Sequence, residues 1–159
     1  MVNVCMEIET TRDIARQILR HRSFSFQEFS QRYAVAEGFT SRECRTQDLL
    51  NRQNSLSTDN GELHQFWKDA QSEMVGKASS LYAQALDKGI AKEVARALLP
   101  EGLTMSRMYM NGTLRSWLHY IQIRCDKATQ KEHREVADQC RDIIFELYPS
   151  VKEVMDEIK

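Results

Sequence analysis

Nothing in this 159-residue chain approaches the ~20 consecutive apolar residues that a membrane-spanning helix needs. No basic-then-apolar leader opens it either, so neither a membrane protein nor a secreted one is expected, and a cytoplasmic location is. Cys5, Cys44, Cys125 and Cys140 have no short paired spacing, and His21, His64, His119 and His133 form no local ligand motif. A zinc site is therefore not expected, and without a secretory leader neither are disulfides. All four cysteines read as free thiols, mostly buried. Internal repeats, low-complexity tracts and linkers are missing too, which leaves one domain over residues 1–159 with enough length to bury a core.

Lysine is absent up to Lys68, whereas eight arginines lie between Arg12 and Arg52. A guanidinium matches phosphate and carboxylate with a planar fork that an ammonium does not have. The stretch thus suits phosphorylated small molecules or, equally, a solvated salt-bridged surface. A formal charge of −1 argues against general nucleic-acid binding, which calls for a basic domain. Asp13, Glu28, Glu37, Glu43 and Asp48, interspersed among the arginines, argue the same way. Hydrophobic residues at 42% and charged ones at 28% fit a soluble globular protein.

The periodicities predict an α+β fold, helix-dominated, with a small antiparallel sheet. Val2, Val4, Met6 and Ile8 alternate with polar residues as in a half-buried strand. Thr10 and Asp13 resemble a capping box, opening a helix that buries Ile14, Ala15, Ile18 and Leu19 and ends near Arg20–Arg22. Residues 28–36 read as a turn leading into a strand, and 38–61 as a long polar loop. The longest helix is expected over 61–87, with Leu63, Phe66, Trp67, Ala70, Met74, Leu81 and Ala85 on one side and Gly89 as its stop. A short helix over 91–98 precedes Pro100. A strand over 103–110 then turns at Asn111-Gly112-Thr113 into a helix carrying Leu114, Trp117, Leu118 and Ile121. Thr129 with Glu132 caps a helix burying Val136, Cys140, Ile143, Ile144 and Leu147, and Ser150 with Glu153 caps a last one.

The chemistry concentrates in residues 20–33, Arg-His-Arg-Ser-Phe-Ser-Phe-Gln-Glu-Phe-Ser-Gln-Arg-Tyr. Cations in the last turn of a helix gain ~0.3–1 kcal/mol each from its dipole, which alone would explain Arg20-His21-Arg22. Equally, side chains that diverge where a helix ends let Arg20 and Arg22 face two ligands with His21 between them. Glu28, Ser30 and Arg32 share a face if extended, while Glu28 and Arg32 are an ordinary pair if helical. Cys125 lies beside Arg124 and so resembles an activated nucleophile. Adjacent helical residues point ~100° apart, however, and it reads as a structural thiol. Ser30 has no evident base and reads as a phosphate ligand rather than a nucleophile.

Arg-His-Arg, seven residues, then Ser30 resembles the signature of the flavin-dependent thymidylate synthases. Ala15-Arg16-Gln17 before the triplet, Glu93-Val94-Ala95-Arg96, and Leu114 through Glu132 resemble further family segments, in order, over nearly the whole chain. The match starts at the family's first strand, so the chain reads as N-terminally short relative to members that carry a preceding segment with FAD contacts.

This resemblance implies a methyltransferase that converts deoxyuridylate (dUMP) to thymidylate. Methylenetetrahydrofolate, a folate, is the carbon donor, and FAD reduced by NADPH is the hydride source. It implies dUMP ligands at Gln17, Arg20, Glu28, Ser30, Gln31, Arg32, Arg96 and Arg124. Arg32 and Arg96 would hold the phosphate, and Arg124 would be catalytic at the uracil. It implies FAD ligands at Arg20, His21, Arg22, Glu28, Thr113, Arg115 and His119, with Thr113 standing where many relatives have Asn. It also implies a homotetramer with shared active sites. A non-catalytic nucleotide- or flavin-binding remnant is the alternative, and a nucleic-acid-binding module built on residues 12–52 a more distant one.

Overall fold

A central strand with a glycine near its end organises the molecule. In this computed structural model, which describes residues 2–30 and 38–157, strand β5 (Met105–Thr113) lies between β1 (Asn3–Thr11) and β2 (Ser25–Glu28) in an antiparallel sheet of order β1-β5-β2. Register runs from Asn3 opposite Thr113 to Thr11 opposite Met105, with Phe26 opposite Met110. Val4, Met6 and Ile8 are buried while the residues between them are exposed, as period-two alternation requires.

The buried face of the sheet packs on α1 (Arg12–Ile18), α4 (Leu114–Arg124) and α5 (Lys131–Leu147). Ile14, Ile18, Met108, Met110, Trp117 and Ile144 have no solvent exposure. Burial of side chains this size contributes roughly 1.5–3 kcal/mol each. The indole of Trp117 donates from Nε1 to the Val4 carbonyl at 3.0 Å, so its polar atom does not oppose burial.

Helix α2 (Gly61–Asp87) is capped by Asn60, whose side chain accepts from the Leu63 amide. It ends at Gly89, φ +82°, where the Gly89 and Ile90 amides donate to the Leu86 and Ala85 carbonyls in a Schellman arrangement. Helix α3 (Lys92–Ala95) runs into a 3-10 turn (Arg96–Leu98), and α6 (Pro149–Glu157) closes the described chain. Among the described residues no helix is long and apolar enough to cross a membrane.

Several sequence expectations need correction. A strand not expected from the sequence runs over Ser25–Glu28; the expected turn and strand over 28–36 lie mostly outside the described residues. Asn111 and Gly112 are not a turn. They continue β5 opposite Cys5 and Val4, and the chain passes from strand to helix at Thr113. The 38–61 loop contains a hairpin of β3 (Arg45–Gln47) and β4 (Ser55–Ser57). Its turn is ordered by Asp48, whose carboxylate accepts from the Leu50 and Asn51 amides and the Asn54 side chain.

Thr11, not Thr10, begins α1, and Gln130, not Thr129, begins α5. Helix α6 begins at Pro149, ahead of the expected Ser150 cap. On α2 the apolar side is largely exposed: Phe66 at 66%, Met74 at 55% and Leu81 at 42%. Of that side Ala85 is buried as expected, together with Gln71, Ala78 and Tyr82. Ile143 and Leu147 of α5 are also exposed, with His133 and Ala137 inside. The cysteines are free, but Cys5 is exposed and Cys125 half-buried.

Candidate active site

Helix α1 stops at Leu19, and the chain turns through Arg20, His21 and Arg22 into β2. The turn sets His21 against the last residue of α4. Arg124 donates from Nε to His21 Nε2 at 2.9 Å. A ring nitrogen that accepts must be bare, so this bond assigns the proton of the neutral imidazole to Nδ1. Burial, and then the positive charge of Arg124 and the nearby His119, push the His21 pKa down to about 4. Among the described residues Arg124 has no acidic partner, so its charge is not cancelled.

One helical turn before Arg124, the Tyr120 ring meets His21 edge-on with centroids 4.9 Å apart. Burial raises the Tyr120 pKa, which keeps its hydroxyl protonated. That hydroxyl lies 3.1 Å from Nε2 of the fully buried His133, whose Nδ1 lies 3.3 Å from Oε1 of Gln17. Gln17 Nε2 in turn donates to Gln130 Oε1 at 2.8 Å. Gln17 and His21 from the end of α1 and its turn, and Arg124 from the end of α4, therefore occupy one polar cluster. Arg20 and Arg22 flank it in the turn, both exposed.

Beyond Gln130 stands Glu132, in the first turn of α5 and bonded to Gln130, Arg42 and Arg45. Burial opposes its ionisation, yet its own backbone amide, Gln130 and the two guanidiniums outweigh that and hold the pKa below the usual carboxylate value. Arg42 also reaches Asp13 at 2.7 Å.

A second group sits toward the other end of α1. Glu28, at the end of β2, accepts from Ser106 at 2.7 Å and from Arg12 at 3.3 Å. Arg12, Arg16 and Arg96 line an open cavity of about 310 Å³ together with Glu93 and Glu101. Arg96 Nε donates to the Glu93 carbonyl, and Arg16 is paired with Glu101. Ser30 follows β2, half-buried, while Gln31 and Arg32 lie outside the described residues. No side-chain hydrogen bond or ion pair among the described residues links this group to the Arg124 cluster.

The flavin set inferred from sequence is split between the α1–β2 segment, with Arg20, His21, Arg22 and Glu28, and the start of α4. Thr113 caps that helix, its hydroxyl accepting from the Ser116 amide at 3.2 Å. Arg115 and His119 follow on one exposed face, four residues apart. The side chains of Arg20, Arg22, Arg115 and His119 form no hydrogen bond or ion pair among the described residues. Three unengaged guanidiniums and an imidazole are donors suited to the pyrophosphate of FAD. Among the described residues there is no group of three or more His, Cys, Asp or Glu placed to hold a metal ion.

A family profile described as "Thymidylate synthase complementing protein" matches residues 1–150. A flavin-dependent thymidylate synthase of Synechocystis sp. is 51% identical over 156 residues, covering 98% of this chain and 72% of that protein. This chain belongs to the flavin-dependent thymidylate synthase family. A probable flavin-dependent thymidylate synthase of Paramecium bursaria Chlorella virus 1 is 46% identical over 152 residues, covering 95% of this chain and 70% of that one. Among solved structures, a UMP/dUMP methylase from Streptomyces cacaoi bound with 5-Br UMP superimposes with a TM-score of 0.83 at 25% identity. The match covers 92% of this chain and 70% of that one.

Within this flavin-dependent thymidylate synthase fold, residues that sequence reasoning gave no role connect those it singled out. Tyr120 and His133 join His21 to Gln17, and Arg12 joins Glu28 to the Arg96 cavity. Tyr120 stands four residues before Arg124, a helical spacing that puts it on the same side. His133 had no comparable signal, because its partners lie 13 and 116 positions away.

Proposed function

We propose that the whole chain acts as one catalytic domain, a working flavin-dependent thymidylate synthase in the cytoplasm. It methylates C5 of dUMP with methylenetetrahydrofolate as carbon donor and NADPH as reductant of its flavin. The observation that carries this reading is Arg124. Its guanidinium is anchored through Nε to a neutral imidazole, leaving Nη1 and Nη2 without a partner among the described residues. A fixed, uncancelled cation beside a uracil ring lowers the cost of ionising N3, and the anion so formed makes C5 nucleophilic. Gln17 and Arg20 would hold the nucleotide at the same end of α1. Arg96, Ser30, Gln31 and Arg32 would take its phosphate, with Glu28 beside them.

Arg20, His21, Arg22, Glu28, Thr113, Arg115 and His119 would hold FAD. Reduced FAD, when bound, supplies the hydride that completes the methyl group. The protein's share of the work is to orient the nucleotide and hold the charge that ionises it. No thiolate is required: burial, and then a hydrogen bond to Asp138, push the Cys125 thiol up to about 12.

Separation of the Arg124 cluster from the Arg96 cavity supports sites shared between subunits, each copy supplying one part to a neighbour in a homotetramer. The exposed apolar side of α2 is a suitable surface for such assembly. Incubating the purified protein with FAD, NADPH, methylenetetrahydrofolate and dUMP, and measuring thymidylate by chromatography, tests the reading. Thymidylate formation that stops when FAD or NADPH is omitted is expected. No thymidylate with FAD bound and all substrates present would reject it.

A further inference from the structure

The hydrogen bonds around Gln17 can run in one direction only. Glu132 is ionised and accepts but cannot donate, so Gln130, 3.0 Å away, must turn its amide nitrogen toward it. The Gln130 oxygen is then the end facing Gln17, and it accepts from Gln17 Nε2. That leaves Gln17 Oε1 facing His133, which must donate from Nδ1. A neutral imidazole with its proton on Nδ1 is bare at Nε2, and it accepts the Tyr120 hydroxyl there. Burial, and then the charge of Arg124 and the nearby His21, lower the His133 pKa to about 4, consistent with a neutral ring.

We propose that Glu132, Gln130, His133 and Tyr120 form a one-way relay that locks the Gln17 carboxamide, and that His133 is a positioning residue for nucleotide binding. The inference rests on the reading of Gln17 as a dUMP ligand. A primary amide has two N–H donors and two oxygen lone pairs. The relay engages one of each, at fixed ends, so one N–H and one lone pair remain for a nucleotide without the amide having to choose an orientation on binding. Restricting that choice in advance is preorganisation, which raises affinity without adding a contact to the ligand.

The test is dUMP affinity of the FAD-loaded protein by calorimetry, with FAD affinity measured alongside. His133→Leu should raise the dUMP Kd about five- to tenfold, the size of one net hydrogen bond, with FAD affinity unchanged. His133→Asn, which keeps an N–H near the Nδ1 position, should restore dUMP affinity to within about twofold of the parent. In steady state His133→Leu should raise KM for dUMP and leave kcat near the parent value, since the affected interaction serves the bound substrate as much as the transition state. In a Gln17→Ala background, His133→Leu should change the Kd no further.

If Gln17→Ala binds dUMP like the parent, the assignment of Gln17 to the nucleotide is what fails. If Gln17→Ala weakens binding and His133→Leu does not, the relay is overturned. Equal weakening by His133→Leu with and without Gln17, or no rescue by His133→Asn, assigns His133 a purely structural role and overturns it too. Should His133→Leu not fold, Tyr120→Phe removes the donor to Nε2 while keeping the ring. A rise of about two- to fivefold in dUMP Kd is then expected, and parent-like affinity would reject the proposal.

Discussion

The Phe24 ring packs directly against Gly112: a Cβ built at position 112 would stand 2.4 Å from the ring's Cδ1. The two residues are 88 positions apart and meet because β5 carries Gly112 past the turn that follows His21. The same ring meets Trp117 edge-on, with centroids 4.9 Å apart. Gly112→Ala must therefore displace a ring wedged between the sheet and α4. We expect a loss of roughly 1–3 kcal/mol in unfolding free energy, measured by urea denaturation, with weaker FAD retention because the adjacent His21 turn shifts with the ring.

Arg124→Ala should abolish thymidylate formation, by about a hundredfold or more, since a preorganised charge at the reacting ring is removed. Its flavin absorbance should persist, since Arg124 is not itself assigned to FAD and, of the residues that are, only His21 bonds to it. Turnover within about tenfold of the parent would reject the catalytic assignment.

Acid should destabilise the protein at an unusually mild pH. His21 and His133 have folded pKa values of about 4 against an ordinary 6.5, so between these values the unfolded chain binds more protons than the native one. Stability is full above 6.5 and is lost as pH falls toward 4. The fully buried His133 accounts for on the order of 3 kcal/mol, and the half-exposed His21 for less. Urea unfolding at about pH 7, 5.5 and 4.5 should show this slope, and His133→Leu should flatten it.

Cys125→Ser should leave turnover within about twofold of the parent, because a thiol held at about 12 supplies no thiolate near neutrality. Iodoacetamide should modify the exposed Cys5 first, detected by mass spectrometry, without inactivating the enzyme. Stoichiometric inactivation through Cys125 would contradict this.

Where side-chain pattern and local geometry agree, the sequence was a sufficient guide. The alternation of Val4, Met6 and Ile8 matches β1, although Val2 is exposed ahead of the strand and the strand runs on to Thr11. The polar stretch before Gly61 with Gly89 beyond bounded α2. The pattern misled where apolar residues face outward. Phe66, Met74 and Leu81 share a helical side, but periodicity does not say what covers that side. Asn111-Gly112 has turn chemistry, yet the glycine is required by the approach of Phe24, a tertiary contact with no local signal. In the site, Gln17, His21 and Arg124 stood out through their motif, and the structure brings them into one cluster. His133 and Gln130 did not, because their part depends on bonds across the fold.

Gln71 grips the peptide at position 42 from both sides, its oxygen accepting from the Arg42 amide and its nitrogen donating to the Arg42 carbonyl, while the Trp67 indole takes the same carbonyl. Helix α2 is a rod about 40 Å long, and this clamp fastens it to the residue whose guanidinium steadies Glu132. A rigid twist of that rod cannot occur without breaking the clamp or tugging on the carboxylate that sets the sense of the bonds at Gln17. Displacing α2 from its outer side would therefore strain the Gln71–Arg42 contact and, through the Arg42 guanidinium, the Glu132 carboxylate.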